Sequence, residues 1–183
     1  MDHLWSPWRY QYVTTAAGDV PSKDVCLFCR TGIGAASPDA PAHASDLNAE
    51  DARNYVVTRG EHSFVILNRY PYSNGHLMIA PYPHVATLEE AKVEALEEIM
   101  RLAQQAEKAL RIVYRPEGFN LGFNIGRCAG AGIAGHIHLH VLPRWTGDAS
   151  FITTVGETRV LPEDLDTTFR RVREAWQQNK ESK

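Results

Sequence analysis

Long apolar runs, an excess of positive charge and a dense set of cysteines are all missing from this sequence of 183 residues. No apolar run approaches the roughly 18 residues that a membrane-spanning helix needs. The formal net charge of −3 excludes a broad basic face for nucleic acid or an anionic membrane, because such binding depends on summed positive charge. Three cysteines are too few, and odd in number, for a secreted disulfide framework. Because no charged-then-apolar signal segment opens the chain either, we expect a protein of the reducing cytoplasm.

Internal repeats and interdomain linkers are also missing, and the composition is that of a globular protein. The chain has 44% hydrophobic and 22% charged residues, and at this length folding buries roughly 70% of the surface of the extended chain. A single domain over residues 1–183 is therefore expected. Residues 1–30 carry many aromatic side chains and end in a CLFC motif. Residues 31–48 are rich in small and turn-forming types, which predicts an irregular insertion.

The predicted secondary structure follows the order strands, helix, strands, helix. Two apolar runs, SFVILN at 63–68 and LMIA at 77–80, flank a segment with the Pro, Asn and Gly of a turn, which indicates a β-hairpin. From Leu88 to Tyr114 apolar residues recur alternately every three and four positions, which predicts one long amphipathic helix. This order favours an α+β fold with an antiparallel sheet over alternating βα units.

Shorter patterns complete the interpretation downstream of the long helix. GFNLGFNIG at 118–126 is strand-like, HIHLHVL at 136–142 alternates as a strand does, and a short strand is predicted at 151–155. A last helix is expected from about Pro162, a residue suited to a first helical turn.

Three histidines at alternate positions form the most informative pattern in the chain. His136, His138 and His140 alternate with aliphatic residues, and because successive side chains of a strand point to opposite faces, the imidazoles share one face. Such a strand is apolar towards the core and chemically active on its other side. The spacing alone leaves three interpretations open: a solvated polar face, a metal site, or nucleophilic and acid–base chemistry.

Glycines just before these histidines indicate a loop that approaches a ligand closely. Gly130, Gly132 and Gly135 match the letters of a dinucleotide-binding fingerprint, but that motif must open a helix, whereas here it leads into a strand. The remaining alternatives are a tight turn and a nest of backbone N–H groups that binds an anion. Because Arg127 and Arg144 are nearby in the sequence, we favour a phosphate cradle beside the histidines.

The CLFC motif supplies half of a tetrahedral metal site. Cys26 and Cys29 are equally compatible with a redox pair or with two packed core residues. Since the sequence has no second CxxC motif, a closed metal site must recruit histidines or carboxylates from elsewhere. The candidates are His84 and His136.

The order of CLFC, LNRYPYSNGHLMIAP, PYPH, GFNLGFNIGRCAGAGIAG and HIHLHVL is that of a known family. With these motifs the chain resembles the histidine triad proteins over nearly its whole length, apart from the insertion after Cys29. LWSPWRYQYV at the start and PRWTGDASFITTVGETRVLPEDL after the triad are similar to the bacterial diadenosine tetraphosphate phosphorylase branch of that family. The resemblance implies an α+β sandwich of about five antiparallel strands, with the long helix on the aliphatic face of the histidine strand.

The resemblance also implies a role for each residue that matches a family motif. His138 would attack an α-phosphorus and form a nucleotidyl-histidine intermediate, while His140 and His76 would support the site and the transferring phosphate. Asn68 would hold the ribose hydroxyls. Including Arg144 of the predicted cradle, the residues expected to contact substrate are Asn68, Asn124, Gly130, Ala131, Gly132, Arg144 and Trp145.

Zinc is the cofactor that the resemblance implies, and no organic cofactor is expected. The implied ligands are Cys26, Cys29, His84 and His136. Because four protein ligands leave no position for water, such a zinc ion would be structural. The family resemblance further implies a homodimer.

The reaction expected from this resemblance is phosphorolysis of diadenosine tetraphosphate to ATP and ADP, with inorganic phosphate as the second substrate. The loop departs from the phosphorylase branch, which often carries a hydroxyl residue where this chain has Gly130, Ala131 and Gly132. A hydrolase or nucleoside phosphoramidase with water as acceptor is the nearest alternative. A catalytically silent nucleotide-binding protein is the third interpretation.

Overall fold

The computed structural model describes residues 26–36, 44–149, 151–155 and 162–181. The aromatic segment before Cys26 lies outside these ranges, as do residues 37–43 in the middle of the predicted insertion. Within the ranges, no helix combines the length and the apolar character that crossing a membrane requires.

A five-stranded antiparallel sheet organises the described part of the chain. Its strands are β1 (Val56–Arg59), β2 (Ser63–Leu67), β3 (Leu77–Pro81), β4 (Gly118–Phe123) and β5 (Leu139–Arg144), in the spatial order β1-β2-β3-β5-β4. The helices are α1 (Leu27–Ala36), α2 (Ala44–Arg53), α3 (Val93–Tyr114), the single turn α4 (Phe151–Thr154) and α5 (Leu165–Glu181), and a 3-10 turn spans Arg127–Ala129. The predicted α+β fold is confirmed.

The predicted hairpin is present, and its two strands are buried along their whole length. β2 and β3 pair antiparallel from Ser63↔Pro81 to Leu67↔Leu77, and every residue of both strands is buried. Strands covered on both faces have nearly continuous apolar sequences, which explains the two short runs. The connection between the strands passes through Gly75, whose φ of +76° is a backbone conformation that glycine adopts at little steric cost.

The long helix α3 begins at Val93 rather than at Leu88. Lys92, just before it, has an extended backbone with φ −67° and ψ 144°, so the apolar periodicity upstream belongs to turns. The helix ends where predicted, because Arg115 adopts a left-handed conformation and the following Pro116 cannot continue the hydrogen-bond ladder.

One face of the sheet packs against α3 and α5. Leu139 and Val141 of β5 lie in the same buried cluster as Ile99 and Leu110 of α3 and Trp176 of α5. The long helix therefore covers the aliphatic face of the histidine strand, as predicted.

The opposite face of the sheet is covered by α1 and the residue before it. Phe28 and Cys26 pack in a second buried cluster with Phe64 of β2 and Met78 of β3. The described members of this cluster come from β1, β2, β3 and the α1 segment, and none comes from the edge strand β4. The sheet thus has two covered faces, and the second one depends on a short helix.

The prediction of irregular structure over 31–48 is wrong at both ends of that segment. Residues 31–36 continue α1, and residues 44–48 open α2. Tertiary contacts override the weak helix propensity of the small residues. An ion pair of 2.7 Å between Asp51 of α2 and Arg59 of β1 is one such contact.

Two predicted strands are also corrected. The strand expected at 136–142 begins only at Leu139, because the chain before it pairs elsewhere: the N–H of Ile137 donates to the carbonyl of Val85 at 2.7 Å. The strand expected at 151–155 is the helical turn α4. The apolar residues Phe151, at its start, and Val155, just after its end, are exposed.

We expect Gly75→Ala to lower the free energy of unfolding by about 2–4 kcal/mol, from left-handed strain and overpacking together. A Cβ at this position would lie 2.7 Å from Cδ2 of Leu110 and 2.8 Å from Cε2 of Tyr114. Gly122→Ala is the matched control, because nothing lies within 4 Å of a Cβ built there. Urea unfolding measures both variants, and equal stabilities would contradict the prediction.

Candidate active site and metal centre

The histidines of the triad lie on the side of β5 that faces away from α3. Leu139 and Val141 point into the α3 core, so His140 between them points to the opposite side. The imidazole of His138 packs edge-on against that of His140, with ring centroids 4.8 Å apart. Both residues are buried, so their rings meet in a largely dry environment.

A backbone carbonyl orients the ring of His138. Its Nδ1 lies 2.8 Å from the carbonyl oxygen of His136, and only a protonated ring nitrogen can donate to that oxygen. The hydrogen bond therefore assigns the proton to Nδ1 and leaves the lone pair on Nε2. Burial lowers the pKa of His138 below its ordinary value, which favours the neutral ring at neutral pH. In this state Nε2 is a nucleophile or a base.

His76 and His140 form a hydrogen-bonded pair whose direction is set by neighbouring donors. Nδ1 of His76 accepts the backbone N–H of Tyr72 at 3.2 Å and lies 3.3 Å from the amide nitrogen of Asn68. Because this nitrogen accepts, the proton of His76 is on Nε2, which donates to Nδ1 of His140 at 2.8 Å. His140 then carries its own proton on Nε2, and burial lowers its pKa to about 4. The site thus combines an acceptor nitrogen on His138 with a donor on His140.

Asn68 is tied to the same pair from the end of β2. Its backbone N–H donates to the carbonyl of His76 at 2.9 Å, and its side-chain Oδ1 accepts the N–H of Tyr70 at 2.9 Å. These bonds fix the amide plane of Asn68 beside the histidines.

The four residues implied as metal ligands come together. Their ligand atoms all lie within 4.8 Å of one another, in a cluster of Cys26, Cys29, His84 and His136. Nδ1 of His84 lies 3.1 Å from Sγ of Cys29, and Nδ1 of His136 lies 3.5 Å from Sγ of both Cys26 and Cys29.

This cluster fits a tetrahedral transition-metal ion. Two thiols and two imidazoles are a common zinc donor set, and metal–ligand distances of about 2.0–2.3 Å imply ligand–ligand separations of roughly 3.3–3.8 Å. Nε2 of His136 donates to the carbonyl of Pro81 at 2.8 Å, which leaves Nδ1 facing the cluster. A hydrogen bond of this kind on the second ring nitrogen is usual for histidines that bind metal.

Arg59 fastens the helix that carries the two cysteines. Its guanidinium donates to the carbonyl of Thr31 in α1 at 2.8 Å and to the carboxylate of Asp51 at 2.7 Å. One side chain of β1 therefore links α1 and α2 to the sheet.

The glycine loop lies directly before the triad, but part of its backbone is already bonded. Gly126 and Gly130 have φ values of +81° and +88°, which explains why glycine is needed at these turns. The N–H of Gly130 donates to the carbonyl of Arg127 at 2.9 Å, and that of Ala131 to Gly126 at 3.3 Å. These two donors are therefore used inside the loop, whereas Gly132 is exposed.

The remaining predicted substrate residues spread along the sheet. Asn124 follows β4 by one residue, and the register that pairs Gly122 with His140 puts it on the face of the histidines. Arg144 ends β5, roughly 20 Å along the chain from His138 at about 3.3 Å per residue. Its guanidinium binds Asp148 at 2.7 Å, so the structure does not bring it to His138.

A cavity of about 530 Å³ lies at the far end of β5. Tyr72 contributes to its wall and also packs against the ring of His76, with centroids 4.8 Å apart. Trp145 lines the cavity, and its indole N–H lies 3.4 Å from the carbonyl of Tyr114. Its lining among the described residues is Tyr72, Ser73, Asn74, Tyr114, Trp145, Asp148, Thr153, Pro162, Glu163 and Arg171.

Phe28 is a site residue that the sequence motifs did not identify. Its ring packs against His138 with centroids 4.7 Å apart and against His136 at 5.2 Å. The sequence shows that Phe28 lies between the two cysteines. An apolar residue at that position does not indicate a contact with a residue more than a hundred positions away.

The fold and the site together define a class of protein: an α+β domain that carries a hydrogen-bonded histidine site on its sheet beside a Cys/His cluster. Residues 49–147 match the model of the HIT domain. A protein of Mycobacterium tuberculosis named AP-4-A phosphorylase is 39% identical to this chain, over 96% of this chain and 85% of its own length. The chain belongs to the HIT domain family.

Solved structures agree with this assignment. A zinc-bound histidine triad family protein from Mycobacterium smegmatis aligns with a TM-score of 0.66 at 27% identity, covering 88% of this chain and 100% of the other. A hypothetical histidine triad nucleotide-binding protein from Sulfolobus tokodaii aligns with a TM-score of 0.60 at 27% identity, covering 85% of this chain and 94% of the other.

We expect protein purified without chelators to hold one divalent transition-metal ion per chain and Cys29→Ala to lose most of it, because three ligands bind far more weakly than four. Inductively coupled plasma mass spectrometry measures the content. Cys128→Ser is the matched control, since that thiol is exposed and outside the cluster. Equal metal content in the wild type and Cys29→Ala would contradict the prediction.

Proposed function

We propose that this chain transfers a nucleotidyl group from a dinucleoside polyphosphate to inorganic phosphate, and that it cleaves diadenosine tetraphosphate to ATP and ADP. The observation that carries the proposal is the hydrogen bond from Nδ1 of His138 to the carbonyl of His136, which leaves Nε2 free for attack. The chain is an enzyme of the nucleotidyltransferase or hydrolase type found in its family. The name of its 39% identical relative, AP-4-A phosphorylase, supports the substrate class.

Two displacements at the α-phosphorus would complete the reaction. In the first, the lone pair on Nε2 of His138 forms an N–P bond while the bond from phosphorus to the bridging oxygen breaks, and ATP leaves with that oxygen. In the second, an oxygen of inorganic phosphate attacks the same phosphorus, the N–P bond breaks, and ADP leaves. The imidazole returns to its neutral form, and one difficult displacement is divided into two easier ones.

The neighbouring side chains take supporting roles in this proposal. The Nε2–H of His140 donates to a non-bridging oxygen of the reacting phosphate, where negative charge develops. His76 holds His140 in the tautomer that makes this donation available. Asn68 binds the ribose hydroxyls, as the family resemblance implies.

The rest of the predicted substrate contacts follow the path of the polyphosphate. We assign the phosphates to Asn124 and Gly132, because the N–H groups of Gly130 and Ala131 bond inside the loop. Because Arg144 and Trp145 lie at the far end of β5, we assign to them the part of the substrate that leaves as ATP, next to the cavity lined by Trp145.

Water is the second candidate for the acceptor. The N–H groups of Gly130 and Ala131 already bond inside the loop, and the loop carries no hydroxyl side chain between Arg127 and Gly135. A second phosphate therefore finds fewer donors there than an anion nest would supply. With water as acceptor the product would be AMP instead of ADP.

We further propose that the Cys/His cluster binds a structural zinc ion. The donor set fits zinc, and the zinc-bound relative from Mycobacterium smegmatis shares the fold. The ion would stabilise the contact between α1 and the triad without taking part in the transfer. The homodimer and the cytoplasmic location stay predictions from the sequence.

Product analysis distinguishes the two acceptors. We expect the enzyme to convert diadenosine tetraphosphate to ATP and ADP in equal amounts when inorganic phosphate is present, and to show little turnover without it. Anion-exchange chromatography resolves ADP from AMP. AMP as the sole second product under both conditions would exclude phosphorolysis and establish the hydrolase.

His138→Ala tests the nucleophile. We expect turnover to fall by about 10⁴-fold or more, because removal of a covalent nucleophile abolishes both displacements. His62→Ala is the control, since His62 is a partly exposed histidine on the approach to β2. Turnover by His138→Ala at the level of His62→Ala would refute the assignment.

A further inference from the structure

The ring of Phe28 packs against one side of the His138 imidazole. The two ring centroids are 4.7 Å apart and the ring planes meet at 38°. Phe28 is 0% exposed and His138 is 4% exposed. This side of the imidazole is therefore closed both to water and to substrate.

The other contacts of His138 do not by themselves fix the plane of its ring. Nδ1 is held by the carbonyl of His136 at 2.8 Å, and the ring of His140 meets it edge-on at 69°. The torsion that turns an imidazole about its Cβ–Cγ bond has broad minima, so a single hydrogen bond permits a range of ring orientations. A flat, buried neighbour such as Phe28 narrows that range.

Phe28 is itself firmly held. It lies between Cys26 and Cys29, whose thiols belong to the Cys/His cluster. Phe64 of β2 packs behind it, with ring centroids 6.4 Å apart. The Cys/His cluster and the sheet thus set the position of the Phe28 ring, against which His138 packs.

We propose that Phe28 is a positioning residue: its ring holds the imidazole of His138 in the orientation from which Nε2 reaches the α-phosphorus. Phe28 offers no donor or acceptor to a substrate, so it acts by holding the ring of His138 against which it packs. This ring contact then links α1 to the transfer step. The effect of Phe28 on the rate of transfer rests on the proposed function, whereas its effect on the orientation of the His138 ring does not.

The kinetic test compares Phe28→Leu with Phe64→Leu. Both changes remove the same atoms from the same buried cluster, but no ring contact joins Phe64 to His138 among those of the described residues. We expect kcat to fall about 10- to 100-fold in Phe28→Leu, the scale of a small misplacement of a reacting group, with KM and metal content little changed. Phe64→Leu should lose comparable thermal stability while its kcat stays within about twofold of the wild type.

The second readout is the ring of His138 itself, observed by ¹⁵N-histidine NMR without substrate. We expect one Nδ1-protonated tautomer in the wild type and in Phe64→Leu, and a shifted or mixed population in Phe28→Leu. The proposal is overturned if the His138 signals of Phe28→Leu match those of Phe64→Leu, whether or not kcat falls. It is also overturned if Phe28→Leu loses its metal, since Phe28 would then act on the cluster. If the wild type does not cleave dinucleoside polyphosphates, the proposed function fails and the NMR comparison alone decides this inference.

Discussion

The packing of the short helix α1 on the second face of the sheet is the constraint on which the site depends. This helix has ten residues, and isolated helices of fewer than about 12 residues are marginal in water. It is held by the burial of Phe28, which stabilises by about 1.5–3 kcal/mol, and by the hydrogen bond that Arg59 donates to the carbonyl of Thr31. A metal ion in the Cys/His cluster would add stabilisation on a larger scale, since zinc-binding peptides gain about 10 kcal/mol or more from the ion. Without α1 in place, the side of the His138 imidazole that packs against Phe28 would be open to water.

Alternation along β5 lets one strand serve both the core and the chemistry. Its aliphatic residues pack against α3, and His140 on its other side is hydrogen-bonded to His76. Burial favours neutral forms of His138 and His140, so the site offers hydrogen-bond donors and a lone pair rather than a fixed positive charge. Arg144, one of the two arginines of the predicted cradle, is engaged by Asp148. In the proposed reaction, oriented N–H groups such as that of His140 would help to stabilise the charge on the phosphates.

Sequence patterns predicted the elements whose residues are strongly periodic or continuously apolar. The hairpin of β2 and β3, the long helix α3 and the last helix were recognisable because burial imposes such patterns locally. The strand β1 was missed, since four residues, VVTR, are too few to show a period. The helices at 27–36 and 44–53 were missed because contacts such as Arg59 with Asp51, and not helix propensity, hold them. The strand start at Leu139 depended on the pairing of Ile137 with Val85, a partner that no local pattern identifies.

By itself the sequence determined which chemical groups the protein has and how they repeat: three imidazoles at a period of two, a pair of thiols at CxxC spacing, and glycines where the backbone turns. Those features are local, and the geometry of strands and turns translates them directly into faces and bends. The tertiary structure alone decided which groups meet. Cys26 and His136 are separated by 110 positions, and the tautomers of His76, His138 and His140 follow from backbone carbonyls and N–H groups brought in by the fold. Hydrogen-bond direction and ring contact depend on distances of a few ångströms between remote segments, and only the packed chain sets those distances.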